Sequence, residues 1–199
     1  MNGADVSVRV ERAEQPGRAG SVWLCVAAAV PKGDRADWMV EKLSELGVDE
    51  FVPLAAARSV VLPEGRGKHD RWNRIATEAA KQSRRAGVMR ITKLTDLSGA
   101  LAGATDAAQS GRAWFLTTED DAAVPISTAL RDVPAGARLT VFVGPEGGWT
   151  VEERQQFAAA GATAVRLGPT ILRVETAAIA TAVVVACAPR PRGPSDVGP

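Results

Sequence analysis

Short apolar runs alternate with amphipathic stretches along most of the chain. Residues 21–30 (SVWLCVAAAV), 48–55 (VDEFVPLA) and 139–144 (LTVFVG) are mostly apolar runs that end near glycine, proline or polar residues. Runs of this kind are typical of strands that are buried on both faces of a sheet. They predict three central strands.

Apolar residues recur at helical spacing between these runs. Met39, Leu43 and Leu46 form one stripe that ends at Gly47, which predicts a helix with Asp34 as its cap. Residues 66–69, including His69, are predicted as a polar loop. Further strands are predicted at 6–10, 89–94, 112–118 and 162–168, and further helices at 70–84, 97–103, 124–131, 151–160 and 175–188.

The alternation of strands and helices predicts an α/β fold with a mostly parallel sheet and helices on both faces. Residues 21–188 form the predicted domain, and the Pro/Gly-rich residues 189–199 form a predicted disordered tail. The N-terminus has no apolar stretch of a signal peptide, and the apolar run 177–188 is too short for a membrane span, so we expect a cytoplasmic protein.

The net charge and the two cysteines limit which kinds of partner and site we expect. The net charge is +1, so a nucleic-acid partner requires a local basic patch. Cys25 and Cys187 lie in apolar runs and are predicted to be buried, reduced thiols, and no metal site is predicted.

The central strand at 139–144 runs directly into the sequence GPEGGWTVEE. Glycine turns that follow parallel strands are common ligand sites, and Gly144, Gly147 and Gly148 can take positive φ and let a ligand approach the backbone. Thr150 and Glu153 have capping-box spacing, which predicts a helix start near residue 151. An unliganded structural turn is the alternative.

A second Gly-Pro turn follows another predicted strand, in LGPTILRVETAAIA at 167–180. Arg173, Glu175 and Thr176 stand here before a helix of small residues. Two such turns could line one pocket, whereas a surface ion pair at a helix start is the alternative.

A basic segment lies between Arg66 and Lys93, where nine lysines and arginines stand against two acids. This segment predicts a phosphate-contacting surface, with a solvated helix face as the alternative. The predicted RNA-contacting residues are Arg71, Arg74, Lys81, Arg84, Arg85 and Arg90.

The last predicted helix is apolar nearly all round, so one face should pack inside the domain and the other against a second copy. We therefore expect a homodimer. A helix that is buried within one subunit is the alternative.

Five segments in order resemble the SPOUT-class methyltransferases that act on uridine N3 of small-subunit (16S) ribosomal RNA. GPEGGWTVEE and LGPTILRVETA are similar to the family's GPEGG and LGxRILRxETA patterns. KGDRADWMVEKLSELGV, ARSVV and EAAKQSRR resemble its KG…K..ELGV, ERSVV and E…EQSGR segments.

The resemblance implies a C-terminal trefoil knot that binds S-adenosylmethionine, and an obligate homodimer that acts on ribosomal RNA or the small ribosomal subunit. It implies that the methyl donor contacts Gly144, Glu146, Gly147, Gly148, Leu167, Gly168, Ile171, Leu172, Arg173, Thr176 and Ala177.

The sequence also departs from the family pattern. Members carry an N-terminal barrel that grips RNA, and residues 1–20 correspond to a remnant of that barrel or an extension. Thr170 stands where the family has arginine, Lys81 where it has glutamate, Arg84 where it has glycine, and Trp149 where a smaller apolar residue is common.

The leading hypothesis is an S-adenosylmethionine-dependent enzyme that methylates N3 of a uridine. Arg173 and Arg85 are the candidate cations that favour the uridine anion, and Glu175 is a candidate base or a residue that orients Arg173. A binding protein of the same fold without catalysis is the main alternative. A nucleotide-binding α/β enzyme is the third hypothesis.

Overall fold

The computed structural model describes residues 21–60, 66–105, 112–118, 120 and 122–188. The predicted strand at 6–10, the segment 1–20 and the tail 189–199 lie outside these residues. The described strands are β1 (Trp23–Ala29), β2 (Glu50–Ala55), β3 (Arg90–Ile91), β4 (Thr95–Asp96), β5 (Arg112–Thr117), β6 (Val124–Pro125), β7 (Arg138–Val143) and β8 (Thr163–Arg166).

The helices lie between these strands, as the sequence pattern predicts. They are α1 (Asp34–Glu45), α2 (Arg66–Gln82), α3 (Leu97–Thr105), α4 (Ile126–Ala129), α5 (Val151–Ala159) and α6 (Val174–Cys187), with a 3-10 turn at Leu130–Asp132.

The strands form one sheet in the order β3-β2-β1-β7-β5-β8-β6, and β4 pairs with β2 beside β3. Every strand pair in the described part of the chain is parallel. The prediction of a mostly parallel α/β sheet is confirmed. Because the strands are parallel, the loops that follow them all emerge at the same edge of the sheet, which we call the carboxyl edge.

Both faces of the sheet are covered, which explains why the central strands are apolar without alternation. Val26 and Ala28 of β1 belong to the core that contains residues of α1, α2, α4 and α6. Ala27 points to the opposite core, which contains Leu101 of α3 and Phe157 of α5. Helices on both faces are therefore confirmed.

Two local predictions were wrong. Helix α2 begins at Arg66, so the predicted loop at 66–69 is its first turn. His69 bonds to the Ile91 carbonyl and to Asn73 at 3.0 Å each, so it fixes the helix against β3. Gly33, with φ of 63°, stands at the cap position of α1, and Asp34 is the first helical residue.

The two cysteines have different environments. Cys25 lies buried in β1, and desolvation raises the pKa of its thiol far above the ordinary value, so it stays protonated. Cys187 is exposed at the end of α6, so the prediction of burial was wrong for this residue. It lies in the last turn, where the apolar helix has left the core.

Charged residues form ion pairs and hydrogen bonds at the opposite edge of the sheet, which we call the amino edge. The buried Glu50 carboxylate pairs with Arg90 and, at 2.7 Å, with Arg138, whose guanidinium lies 3.7 Å from the centre of the Trp23 ring. Asp49 accepts a hydrogen bond from the Leu24 N–H at 2.9 Å. These contacts join the starts of β1, β2, β3 and β7, so they favour one strand order and one register.

Arg84 occupies a backbone conformation that normally favours glycine. Its φ is 54°, and among the described residues it alone has positive φ without being glycine. The turn is closed by hydrogen bonds from the Arg84 N–H to the Lys81 carbonyl and from the Arg85 N–H to the Ala80 carbonyl. The family pattern has glycine at this position, so this chain keeps arginine at an energetic cost.

Replacing Arg84 with glycine should therefore stabilise the fold. We expect Arg84→Gly to raise the free energy of unfolding in urea by about 0.5–1 kcal/mol, since relief of strain outweighs the added freedom of the unfolded chain. Arg74→Gly, in the middle of α2, is the matched control and should lower it by about 1 kcal/mol. A lower stability of Arg84→Gly would contradict the inferred strain.

Candidate functional site

Two Gly-Pro loops emerge at the carboxyl edge of the sheet. The glycine loop, residues 144–150, follows β7, and the second loop, residues 167–173, follows β8. In the sheet, β5 separates these two strands. Neighbouring strands lie about 4.8 Å apart, so the two loops begin roughly 10 Å from each other, on either side of the residues that follow β5. This spacing suits a ligand of nucleotide size.

Each glycine of the first loop has its own structural reason. Gly148 has φ of 68°, as a tight turn requires. A Cβ on Gly144 would lie 2.9 Å from the Trp149 ring, and one on Gly147 would lie 3.2 Å from the Arg58 side chain. The expectation of positive φ was thus wrong for Gly144 and Gly147, whose open Cα faces receive protein side chains.

Trp149 fastens the glycine loop to β5. Its indole N–H donates to the Thr117 carbonyl at 3.0 Å, and its ring packs edge-on against Phe157 at 4.8 Å. The Thr117 hydroxyl donates in turn to the Phe142 carbonyl at 3.0 Å. The ring is buried, with 4% of the residue exposed, so the larger side chain at this position is a core residue that ties two adjacent strand ends together.

Glu153 fastens the same loop to the loop after β2. The predicted capping box is confirmed, because the Thr150 hydroxyl accepts from the Glu153 N–H and the Glu153 carboxylate accepts from the Thr150 N–H at 2.8 Å. Its second oxygen accepts from the Ala57 N–H, also at 2.8 Å. This buried carboxylate therefore joins loops that are far apart in the sequence and places Arg58 beside Gly147.

The second loop is the more open of the two. Gly168, Pro169 and Thr170 are exposed, and Ile171 has 75% of its surface exposed. A Cβ on Gly168 would meet no atom within 4 Å. These exposed residues make the second loop more accessible to a ligand than the glycine loop.

The predicted site residues at the start of α6 separate into exposed and buried ones. Arg173 stands at the cap position, and its exposed side chain makes no hydrogen bond or ion pair with the described residues. Thr176 is exposed, whereas Ala177 is buried against the core. Leu167 and Leu172 are half-buried, so both pack on the core and line the loop from below.

Glu175 does not orient Arg173. Its carboxylate is buried and pairs instead with Arg35 of α1 at 3.2 Å, while its other oxygen, Oε2, has no hydrogen-bond partner among the described residues. The ion pair fixes the first turn of α6 to the first turn of α1.

Arg85 lies at the amino edge and not beside the Gly-Pro loops. Its guanidinium donates to the Val48 carbonyl at 2.7 Å and the Ser44 carbonyl at 3.1 Å, and Asp49 lies 3.7 Å away. Through β1, Asp49 is in register with Leu139, five residues before Gly144. At about 3.3 Å per residue, Arg85 is roughly 16 Å from the glycine loop of its own chain, so a catalytic role there does not fit.

The other predicted RNA-contacting residues lie along α2 and the turn that follows it. Arg71 pairs with Asp37, Lys81 with Glu78, and Arg90 with Glu50. Arg74 and Arg84 are exposed and make no ion pair with the described residues. The helix starts near the carboxyl edge and runs toward the amino edge, and Arg71, Arg74 and Lys81 form a stripe about 15 Å long on it, which we call the α2 stripe.

Arg58 and Arg35 are site residues that the sequence analysis missed. The Arg58 guanidinium donates to the Gly147 carbonyl at 2.7 Å, and Arg35 holds Glu175. Both were inside quoted motifs, ARSVV and KGDR, but nothing in their local pattern indicates that they reach these loops. Arg58 also contributes to the lowered pKa of Glu152, although the α5 backbone and the Thr150 hydroxyl contribute more.

Metal ligation and membrane insertion find no support in the described part of the chain. No group of three or more histidines, cysteines, aspartates or glutamates is close enough there to hold a metal ion. None of the helices found there combines the length and the apolar character that a membrane crossing needs.

Comparison with known proteins places these loops in context. Residues 18–186 match the family model described as an RNA methyltransferase domain. The chain is 35% identical over 155 residues to the ribosomal RNA small subunit methyltransferase E of Bacillus subtilis. The aligned region covers 76% of this chain and 60% of that protein. The Mycobacterium bovis protein with the same name is 35% identical over 159 residues, covering 77% of this chain and 58% of the relative.

A solved structure shows the same similarity. The Neisseria gonorrhoeae ribosomal RNA small subunit methyltransferase E, bound to S-adenosyl methionine, superposes with a TM-score of 0.69 and 33% sequence identity. The match covers 81% of this chain and 64% of that one. The chain thus spans about three-fifths of the length of the relatives that it matches.

Removal of the Glu153 carboxylate should destabilise the protein more than removal of the neighbouring Glu152 carboxylate. We expect Glu153→Ala to lower the free energy of unfolding by about 2–3 kcal/mol, because two backbone N–H groups lose a charged acceptor. Glu152→Ala, at the exposed neighbouring position, is the control and should change the urea midpoint much less. Equal effects of the two substitutions would show that the buried carboxylate does not hold the loops together.

Proposed function

Because the chain belongs to the RNA methyltransferase domain family, we propose that it transfers a methyl group from S-adenosylmethionine to N3 of a uridine in small-subunit ribosomal RNA. The observation that carries this proposal is that two Gly-Pro loops emerge at the same edge of a parallel sheet, from strands that a single strand separates. The names of the Bacillus and Mycobacterium relatives support the RNA substrate. The resemblance of LGPTILRVETA to the uridine-N3 family supports the target atom.

The loops have the character that this methyl donor requires. Ile171 offers an exposed apolar surface to the adenosine, and open backbone at Gly168 leaves room for close approach. The exposed Glu146 carboxylate complements a cationic ligand. The residues that would hold it are Gly144, Glu146, Gly147, Gly148, Leu167, Gly168, Ile171, Leu172, Arg173, Thr176 and Ala177, with Gly144 and Gly147 contributing backbone polar groups only.

The residues around the loops would perform distinct tasks. When bound, the donor supplies a methyl group on a positively charged sulfur. The glycine loop, fixed by Trp149 and Glu153, would help to position the reactants, which is the main requirement of an in-line transfer. Arg173 would favour the uridine anion from its exposed position at the start of α6. Cations of the α2 stripe, among them Arg71 and Arg74, would contact RNA phosphates.

The path of the chain supports a trefoil knot as the finer description of the fold. After β8, the chain passes through the second loop, and α6 then packs on α1, β1 and β7, on the far side of β5. The chain therefore crosses back over strands that it has already formed. Such a crossing packs α6, which follows the second loop, onto β7, which precedes the glycine loop.

We further propose that two copies of the chain associate through α6. Val183 is 40% exposed on this helix, and Trp38 is 47% exposed on α1, one turn from the Arg35 that pairs with Glu175 at the start of α6. Glu175 is the one charged residue in Val174–Cys187, so the uncovered face is apolar. The cytoplasm, where ribosomes are assembled, is the expected location.

A direct assay tests the enzymatic function. Purified protein should bind S-adenosylmethionine in a calorimetric titration. It should also transfer labelled methyl groups to small ribosomal subunits from cells that lack the corresponding modification, with mass spectrometry locating the product on uridine N3. Arg173→Ala should lower turnover much more than donor affinity, since the side chain acts on the uridine.

Two results would contradict this proposal. Absence of donor binding would remove the methyltransferase function. Donor binding without methylation of subunits would instead favour the alternative that the sequence raised, a binding protein of the same fold.

The association of two copies has its own test. Sedimentation equilibrium should report twice the mass of the chain, and Val183→Glu should produce monomers, because it buries a charge in the apolar contact. Val88→Glu, at an exposed position before β3 and away from α6, should leave the mass unchanged. A wild-type protein that sediments as a monomer at micromolar concentration would disprove the association.

A further inference from the structure

Arg58 is the cation that the tertiary structure brings to the glycine loop. It comes from the loop after β2, and its Nη1 donates to the Gly147 carbonyl at 2.7 Å. The aliphatic part of its side chain packs where a Cβ of residue 147 would lie, at 3.2 Å. Gly147 is therefore required by Arg58, and the guanidinium is held at the loop by both a hydrogen bond and packing.

The backbone that carries Arg58 is also held firmly. The N–H of the preceding residue, Ala57, donates to the buried Glu153 carboxylate at 2.8 Å. The Ser59 hydroxyl accepts from the Ala56 N–H at 3.0 Å and closes the turn. An arginine with fixed backbone on both sides loses little further freedom when it binds a ligand, which is a property of preorganised catalytic groups.

The guanidinium keeps unused hydrogen-bonding capacity. Arg58 is exposed, and its bond to Gly147 is the one hydrogen bond that its side chain makes with the described residues, which leaves most of its five N–H donors directed to solvent. The exposed Glu152 carboxylate lies near enough to feel its charge. This neighbour stays in water, so it does not neutralise Arg58 as a buried partner would.

We propose that Arg58 is a further catalytic residue, which contacts the target uracil and stabilises the negative charge of its deprotonated ring. This inference rests on the proposed uridine methylation. In that reaction the N3 proton leaves to solvent or a base, N3 forms a bond to the methyl carbon, and the carbon–sulfur bond breaks with its electron pair remaining on sulfur. Before methyl transfer, the negative charge is shared by N3, O2 and O4, and the planar guanidinium of Arg58 would stabilise it.

The other arginines near the candidate site fit this task less well. Arg85 is bound to backbone carbonyls at the amino edge, and Arg35 is committed to the buried Glu175. Arg173 belongs to the second loop. Arg58 thus supplies a charge from the glycine-loop side, so the uracil would lie between two cations.

Replacement of Arg58 tests the inference through the acidity of the substrate. Arg58→Ala should lower kcat about 100-fold, as loss of one preorganised donor typically does, with the calorimetric affinity for S-adenosylmethionine unchanged within about twofold. Arg58→Lys should recover part of the rate. Small subunits can be reconstituted with RNA that contains 5-fluorouridine, whose N3 proton is more acidic. We expect this substrate to raise the rate of Arg58→Ala by a much larger factor than the rate of the wild type.

A binding measurement provides a readout without turnover. Wild-type protein should prefer 5-fluorouridine RNA over uridine RNA increasingly as the pH rises toward the N3 pKa, and Arg58→Ala should lose that preference. Arg154→Ala is the matched control, because Arg154 also donates to a loop carbonyl, that of Trp149 at 3.3 Å. It should keep the preference and most of the rate.

The outcomes separate this inference from the proposed function. If the wild type does not methylate subunits, the proposed function fails and the inference fails with it. If the wild type is active and Arg58→Ala keeps its rate, the inference alone is overturned. The same holds if Arg58→Ala and Arg154→Ala lose activity equally without rescue by 5-fluorouridine, since that result would indicate loosening of the loop.

Discussion

The buried carboxylate of Glu153 is the constraint on which the candidate site depends. It caps its own helix through Thr150 and accepts the Ala57 N–H from a loop 96 residues away. A buried charge is stable only when hydrogen bonds replace its hydration, and here two backbone donors do so. The glycine loop and the loop that carries Arg58 can therefore hardly move independently. Trp149 extends the same fixation to the end of β5.

The charged residues at the two edges of the sheet differ in whether they have partners within the chain. At the amino edge, the buried Glu50 carboxylate pairs with Arg138, and Asp49 lies 3.7 Å from Arg85, so both acids have cationic partners within the chain. At the carboxyl edge, Arg58 and Arg173 remain exposed, Ile171 lacks cover, and one oxygen of Glu175 lacks a donor. Exposed cations beside open backbone leave this edge accessible to a ligand.

Positive φ alone does not explain the glycines of the GPEGG motif. The GPEGG sequence predicts a ligand loop after β7, but a positive φ explains Gly148 alone. Gly144 and Gly147 are glycine because an indole ring and an arginine stem fill the space of their missing side chains. The motif thus records contacts with Trp149 and Arg58 as well as room for a ligand, and changes at any of these positions should be coupled.

The amino-acid sequence by itself determined the features that depend on neighbouring residues. The apolar runs predicted a parallel α/β sheet, and Thr150 and Glu153 predicted the capping box, because strand burial and helix caps follow from local spacing. Only the tertiary structure decided which arginine reaches the site. Arg58 meets Gly147 across 89 residues and Arg35 meets Glu175 across 140, whereas Arg85 is placed at the opposite edge. Such pairings follow from the order of the strands, which no local pattern contains.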